Sequence, residues 1–148
     1  MKTSYQAKIF SLWTVFLLGT LFHTQLGLMP LFHNQSIALE GADGTEPIGW
    51  ILWLMLMFFM VPLMAMLAVT LNRSRPLRRL HFGVTVLFSI LNGAHLVADL
   101  LVQPIAWYQI ALMSFLFLVG IVLNIVSFQW LREGRYHSLL AQGYPAGS

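Results

Sequence analysis

The sequence contains no cysteine, and only 9% of its 148 residues are charged. The lack of cysteine excludes a disulfide framework and thiolate metal sites. A soluble domain carries about 25% charged residues, so this chain has too few charges to cover a globular surface in water. Hydrophobic residues make up 58% of the sequence, which excludes a disordered chain. The composition therefore predicts an integral membrane protein.

Clusters of polar or helix-breaking residues divide the sequence into four apolar stretches. Each stretch is at least as long as the ~20 residues that a helix needs to cross a bilayer. A spanning segment must satisfy its own backbone hydrogen bonds, which favours helices. The predicted fold is an all-α integral membrane protein, a four-transmembrane-helix bundle forming a single membrane domain over 1–148. The spans are 9–29, 48–71, 82–102 and 105–131, separated by an outer loop (30–47) and a basic inner loop (72–81) and followed by a cytoplasmic tail (132–148).

The distribution of charge predicts the orientation. All eight lysines and arginines lie in the N-terminal tail, the inner loop or the C-terminal tail. The charged residues of the outer loop are all acidic: Glu40, Asp43 and Glu46. By the positive-inside rule both termini are cytoplasmic (N-in/C-in), and we expect a multi-pass protein of the bacterial cytoplasmic membrane. Four interfacial basic residues are expected to contact anionic lipid headgroups, and no nucleic acid is expected. These are Arg73, Arg75, Arg78 and Arg79.

Aromatic residues lie near the predicted ends of the spans, as in the aromatic belts of membrane proteins. Trp13 and Trp130 are expected near the inner boundary, and Trp50, Trp53 and Trp107 near the outer one. His81 is expected to lie at the inner headgroup region.

A polar face runs along the third span and must turn inward, because charged groups in hydrocarbon cost several kcal/mol. The pairs Ser89/Gly93 and Ala94/Ala98 have the small-xxx-small spacing that permits close helix approach. At 100° per residue the polar face combines six residues: His81, Thr85, Asn92, His95, Asp99 and Gln103.

Two histidines lie at a similar depth below the outer surface. From the ~1.5 Å rise per residue, His23 lies roughly 9 Å and His95 roughly 10 Å inside their spans. Met57 and Met113 reach roughly 12–13 Å, and Asp99 is one turn above His95. His23 and His95 are therefore candidate ligands of a metal ion or of haem b, with Asp99 as a metal ligand or as a group that orients His95. Asn92, Met57 and Met113 are candidate supporting residues around that site.

The donor types limit the choice of cofactor. Imidazole with thioether favours copper, whereas imidazole with carboxylate suits zinc or iron. The alternative is a b-type haem with His23 and His95 as axial ligands. His81 and His95, 14 residues apart on one face, have a spacing that resembles the haem-bearing helices of cytochrome b. The resemblance covers this spacing alone; His81 has no histidine partner at matching depth and the outer side has no Arg or Lys for propionates, so the family is not assigned.

Three functions follow from these patterns. The first is a membrane protein that binds a metal ion or b-type haem in the outer half of its bundle and acts in electron transfer or metal handling. The second is a non-enzymatic accessory or assembly subunit of a larger membrane complex, with a membrane-protein partner. The third is a small proton-coupled transporter that acts as a homo-oligomer, with His95 and Asp99 as relay groups. Without a soluble-enzyme motif, whether the chain is an enzyme stays open.

Overall fold

The computed structural model describes residues 4–37 and 47–141, with side chains as far as Glu133. Within these residues all regular structure is helical and no strand is present. The helices are α1 (Tyr5–Leu28), a 3₁₀ turn (Met29–His33), α2 (Gly49–Leu71), α3 (Arg75–Leu101) and α4 (Trp107–Ala141). Each of the four α-helices provides a segment long and apolar enough to cross a membrane, which confirms the all-helical fold class.

Local capping explains where two of the helices begin. The Ser4 hydroxyl oxygen accepts a hydrogen bond from the Ala7 N–H at 3.3 Å, which satisfies one free donor of the first turn of α1. Between α2 and α3, Asn72 Oδ1 accepts from the Ser74 N–H at 2.8 Å and closes a tight turn. Proline in the first turn of α3 costs no hydrogen bond, because the first N–H groups of a helix have no partner within it.

The helix boundaries differ from the predicted loops. Since α3 begins at Arg75, most of the segment 72–81 predicted as a basic loop is helical. Similarly, α4 continues to Ala141, through much of the segment predicted as a tail. In the predicted outer loop, Glu40, Asp43 and Glu46 lie outside the described residues, so their contribution to the orientation stays a prediction.

The bundle is packed unevenly. Helix α4 packs along both α1 and α3, whereas α2 contacts α1 and α3 much more sparsely. Of the side chains of α2, only Pro62, Met66 and Val69 are buried. Helices α1 and α3 lie across the diagonal of the bundle and meet through their side chains. The core therefore lies mainly between α1, α3 and α4, and α2 stands partly apart.

Small residues bring α3 and α4 together. A Cβ atom at Gly120 would lie 3.0 Å from Ser89 Oγ, and one at Gly93 would lie 3.1 Å from the Phe117 ring. The Ser89 hydroxyl also accepts a hydrogen bond of 2.8 Å from the Asn124 amide. This packing confirms close approach at the predicted Ser89/Gly93 pair. The Ala94/Ala98 pair instead lies on an exposed part of α3, so it does not bring these helices together.

The outside of the bundle is covered with large apolar side chains, as expected for helices in contact with lipid. Trp50, Trp53 and Trp107 are exposed, as a membrane-facing aromatic belt requires.

Trp13 and Trp130 are buried, contrary to their expected place in an aromatic belt. His81 is also buried within the bundle, and its Nε2 accepts a hydrogen bond from the Trp13 indole at 3.0 Å. The rings of Trp13 and Trp130 each meet the His81 ring edge to face. These three residues form part of the core.

Candidate metal centre

Three potential metal ligands meet between α1 and α3. His23 Nε2 lies 3.6 Å from Asp99 Oδ2, and His95 Nε2 lies 3.7 Å from Asp99 Oδ1. The two imidazole rings are nearly perpendicular, with centroids 5.4 Å apart. One ligand atom from each residue can be chosen so that all three lie within 4.8 Å of one another. The two histidines therefore lie at the same level of the bundle.

Helix geometry explains this convergence. His95 and Asp99 are four residues apart on α3, so their side chains lie on the same face one turn apart. His23 reaches them across the diagonal from α1. The side chains of His23 and Asp99 are largely buried, whereas the side chain of His95 is 55% exposed. The cluster therefore lies at the edge of the bundle interior, with His95 on its accessible side.

The donor set suits a small cation. In tetrahedral zinc coordination, ligand atoms about 2.0–2.1 Å from the ion lie roughly 3.3 Å from one another. The two nitrogen–oxygen distances, 3.6 Å to Oδ2 and 3.7 Å to Oδ1 of Asp99, are slightly longer than this separation. One ligand atom from each residue lies within 4.8 Å of the others. Within the described part of the chain, His23 Nδ1 and Asp99 Oδ2 are buried without a hydrogen-bond partner. A cation at the cluster would satisfy the carboxylate oxygen, because buried charges are normally paired or bound to metal.

A porphyrin fits this geometry less well. Axial histidines would approach the two faces of a haem, with the macrocycle between the rings. Here the Asp99 carboxylate lies within 3.7 Å of Nε2 of both His23 and His95. The space between the two imidazoles is therefore bordered by an acid, and the cluster favours a metal ion over haem.

A cleft of about 610 Å³ borders the cluster. His23 and His95 contribute to its wall, as do the three predicted supporting residues Asn92, Met57 and Met113. The structure thus brings five residues singled out from the sequence to one cleft. Asn92 and Met113 are buried, whereas Met57 is half exposed.

A second, smaller cavity of about 80 Å³ is lined by Asp99 and by the polar side chain of Gln109. Val102 and Pro104 also line it, so it lies beside the C-terminal end of α3.

The four arginines predicted to meet lipid headgroups differ in their surroundings. Arg73, Arg75 and Arg79 are exposed. Arg78 is buried, and its guanidinium donates to the Trp130 carbonyl at 2.7 Å and lies 3.5 Å from Glu133 Oε2. The guanidinium also stacks over the Trp130 indole, 4.8 Å from the ring. Arg78 therefore joins α3 to α4 and is not available for headgroups.

Sequence patterns did not reveal the Trp13–His81–Trp130 contacts or, apart from Met57, the α2 side of the cleft. Both depend on which faces of separate helices meet. The sequence did contain one signal for the Trp13–His81–Trp130 contacts. His81 belongs to the polar face of α3, and a histidine that is buried requires a hydrogen-bonding partner. For the α2 wall, formed by side chains such as Leu54 and Phe58, the uniformly apolar sequence contains no comparable signal.

Comparison of the chain with protein-family models, with curated proteins and with solved structures gives no match. The fold and the cluster therefore define the class: an all-helical protein with four helices suited to a membrane and a histidine–aspartate cluster that could hold a metal ion.

Proposed function

We propose that this chain is a four-span membrane protein that binds a divalent transition-metal ion through His23, His95 and Asp99. The observation that carries the proposal is the convergence of three donor atoms within 4.8 Å of one another from two separate helices. An intramembrane acid is costly to retain without a partner, and a bound cation supplies one.

Zinc or iron(II) suits the site best. Two imidazoles and one carboxylate with open positions form the donor set used by non-haem iron(II), and zinc accepts the same donors. Copper remains the alternative, since the thioethers of Met57 and Met113 line the neighbouring cleft. Three protein ligands leave at least one coordination position for another molecule, which favours metal handling or electron transfer over a purely structural ion.

The test is metal binding by the purified protein in lipid nanodiscs. Metal-free protein titrated with Zn²⁺ or Fe²⁺ is expected to bind about one ion per chain, and we expect His95→Ala and Asp99→Asn to weaken binding at least tenfold. His33→Ala is the matched control, because His33 is an exposed histidine in the Met29–His33 turn. Equal affinity in the wild type and both cluster variants would overturn the site, and a Soret band in the purified protein would indicate haem instead.

We further propose that both termini face the cytoplasm, with the Met29–His33 turn outside. The absence of native cysteine makes single-cysteine labelling clean. Phe32→Cys replaces a side chain that is 77% exposed in this turn, and Arg79→Cys replaces an exposed residue near the start of α3. An impermeant maleimide added to intact cells should label the Phe32→Cys protein alone. Labelling of the Arg79→Cys protein alone would show that the orientation is opposite to the one proposed.

The sparse packing of α2 favours a second candidate function, that of an accessory subunit in a larger membrane complex. Only three side chains of α2 are buried within the chain, so most of its surface is available to a partner helix. Native electrophoresis in mild detergent distinguishes the two candidates: a stable complex with another membrane protein supports the accessory role, and a monomer or homo-oligomer contradicts it.

A further inference from the structure

The cleft beside the metal cluster has two kinds of wall. Its α1 and α3 side combines the polar residues Thr20, Thr24 and Asn92 and both histidines with apolar residues of α3 such as Leu87 and Phe88, whereas its α2 side is entirely apolar. The residues from α2 are Leu54, Met55, Met57, Phe58, Phe59 and Val61. A volume of about 610 Å³ lies within the range of small-molecule sites, roughly 300–1,000 Å³.

The cleft is continuous with the apolar outside of the bundle. Leu54, Met55 and Leu91 line it, and each is also between 43% and 59% exposed. A ligand that enters between α2 and α3 therefore passes apolar side chains. Such a ligand is dissolved in the membrane and has an apolar tail.

The polar wall offers hydrogen-bond acceptors. The hydroxyl hydrogens of Thr20 and Thr24 are already donated to backbone carbonyls, at 2.8 and 3.2 Å, so their oxygens remain available as acceptors. Asn92 is 2% exposed, and its Oδ1 has no hydrogen-bond partner among the described residues. A buried acceptor without a partner is costly, which favours a ligand head group that donates a hydrogen bond.

We propose that this cleft binds a membrane-dissolved amphiphile with a hydroxyl head group, its tail along α2 and its hydroxyl beside His23, His95 and Asn92. The inference deepens the proposed metal function and rests on it, because a hydroxyl oxygen is a suitable ligand for the open coordination position of zinc or iron. The shared chemistry is an O–H group on a long apolar tail, which either a quinol or a lipid alcohol supplies.

Methionine methyl groups provide the readout. Met55 and Met113 line this cleft, whereas Met60 and Met64 line a neighbouring apolar cleft of about 620 Å³ that shares Met57 and Val61 with it. In protein with [¹³C-methyl]methionine in nanodiscs, decylhydroquinone and 1-dodecanol serve as probes, and dodecane is the control without a head group. We expect saturable shifts of the Met55 and Met113 signals with the hydroxyl probes and small changes at Met60 and Met64.

Two pairs of variants test the position of the ligand. Leu91→Trp fills the cleft without replacing a cluster residue, and Leu118→Trp places the same ring at an exposed leucine of α4 that does not line the cleft. Binding should be lost in the first and kept in the second. Asn92→Ala should weaken binding of the hydroxyl probes by about tenfold, the equivalent of one hydrogen bond, and leave any dodecane binding unchanged.

The outcomes separate this inference from the metal proposal. Shifts with decylhydroquinone alone identify a quinol site, and shifts with both hydroxyl probes identify a general site for lipid alcohols. Equal shifts with dodecane, or none with either hydroxyl probe, would overturn the inference even if the metal binds. If the protein fails to bind metal but still shows saturable shifts with the hydroxyl probes, ligand binding in the cleft is supported and the metal function is refuted.

Discussion

The indole N–H of Trp13 donates a hydrogen bond of 3.0 Å to Nε2 of His81, across the diagonal between α1 and α3. Both residues are fully buried, so neither group has water as an alternative partner. The bond also fixes the histidine tautomer, because an Nε2 that accepts requires the proton to be on Nδ1. This contact joins the two helices at a second level, away from the His23, His95 and Asp99 cluster.

Replacement of the donor should therefore destabilise the bundle. Trp13→Phe removes the N–H and leaves His81 Nε2 buried without its partner, and we expect a loss of about 1–3 kcal/mol of unfolding free energy. Trp53→Phe is the control, because Trp53 is 65% exposed and its change should stay within about 0.5 kcal/mol. Denaturant unfolding in micelles measures both variants. Equal stability of the two would contradict a structural role for the bond.

Arg78 should be more important for stability than its neighbour Arg79. Its guanidinium contacts the Trp130 carbonyl, the Trp130 ring and Glu133. Arg78→Ala should cost about 2 kcal/mol, since a charge-assisted hydrogen bond alone contributes about 1.5–3 kcal/mol. Arg79→Ala removes an exposed charge and should alter headgroup affinity more than stability. Thermal unfolding measures stability, and sedimentation on anionic vesicles measures headgroup affinity. A greater loss of stability in Arg79→Ala than in Arg78→Ala would refute the structural role of Arg78.

Adding a side chain at Gly120 and at Gly83 should have opposite effects on stability. At Gly120 an added side chain meets Ser89 Oγ at 3.0 Å, whereas at Gly83 it meets open space. Gly120→Val should separate α3 from α4 and cost about 1–3 kcal/mol, typical of overpacking. Gly83→Ala should be neutral or stabilise by about 0.5–1 kcal/mol, because alanine loses less conformational entropy in a helix. Destabilisation by Gly83→Ala but not by Gly120→Val would show that the α3–α4 contact is wrong.

Asn92 and Asn124 should also differ in their contribution to stability. Oδ1 of each lacks a hydrogen-bond partner within the described residues, but the Asn124 amide N–H donates to Ser89 Oγ. Asn92→Leu should be neutral or raise the unfolding free energy by up to about 1 kcal/mol, because an unsatisfied polar group is removed from an apolar interior. Asn124→Leu should lower it by about 1 kcal/mol. If Asn92→Leu instead destabilises more than Asn124→Leu, the amide has a structural partner and the cleft proposal loses its acceptor.

The positions of the helices, and the proximity of His23, His95 and Asp99, followed from the sequence. Scarcity of charge and four apolar segments predicted the four helices, because a spanning segment must satisfy its own backbone hydrogen bonds. The constant rise and rotation per residue predicted that His95 and Asp99 share a face and that His23 lies at the same level as His95. These quantities depend only on local helix geometry.

The contacts between helices required the tertiary structure. Lipid tails are as apolar as leucine, so hydrophobicity alone does not distinguish a side chain that faces lipid from one that faces another helix. For this reason Trp13 and Trp130 were expected in an aromatic belt but are buried in the core. Arg78 was assigned to headgroups because of its charge, but it contacts Trp130 and Glu133. The same reason applies to α2. Its apolar sequence does not show which side chains face lipid and which face protein, so only the tertiary structure shows its sparse packing and the cleft beside His23 and His95.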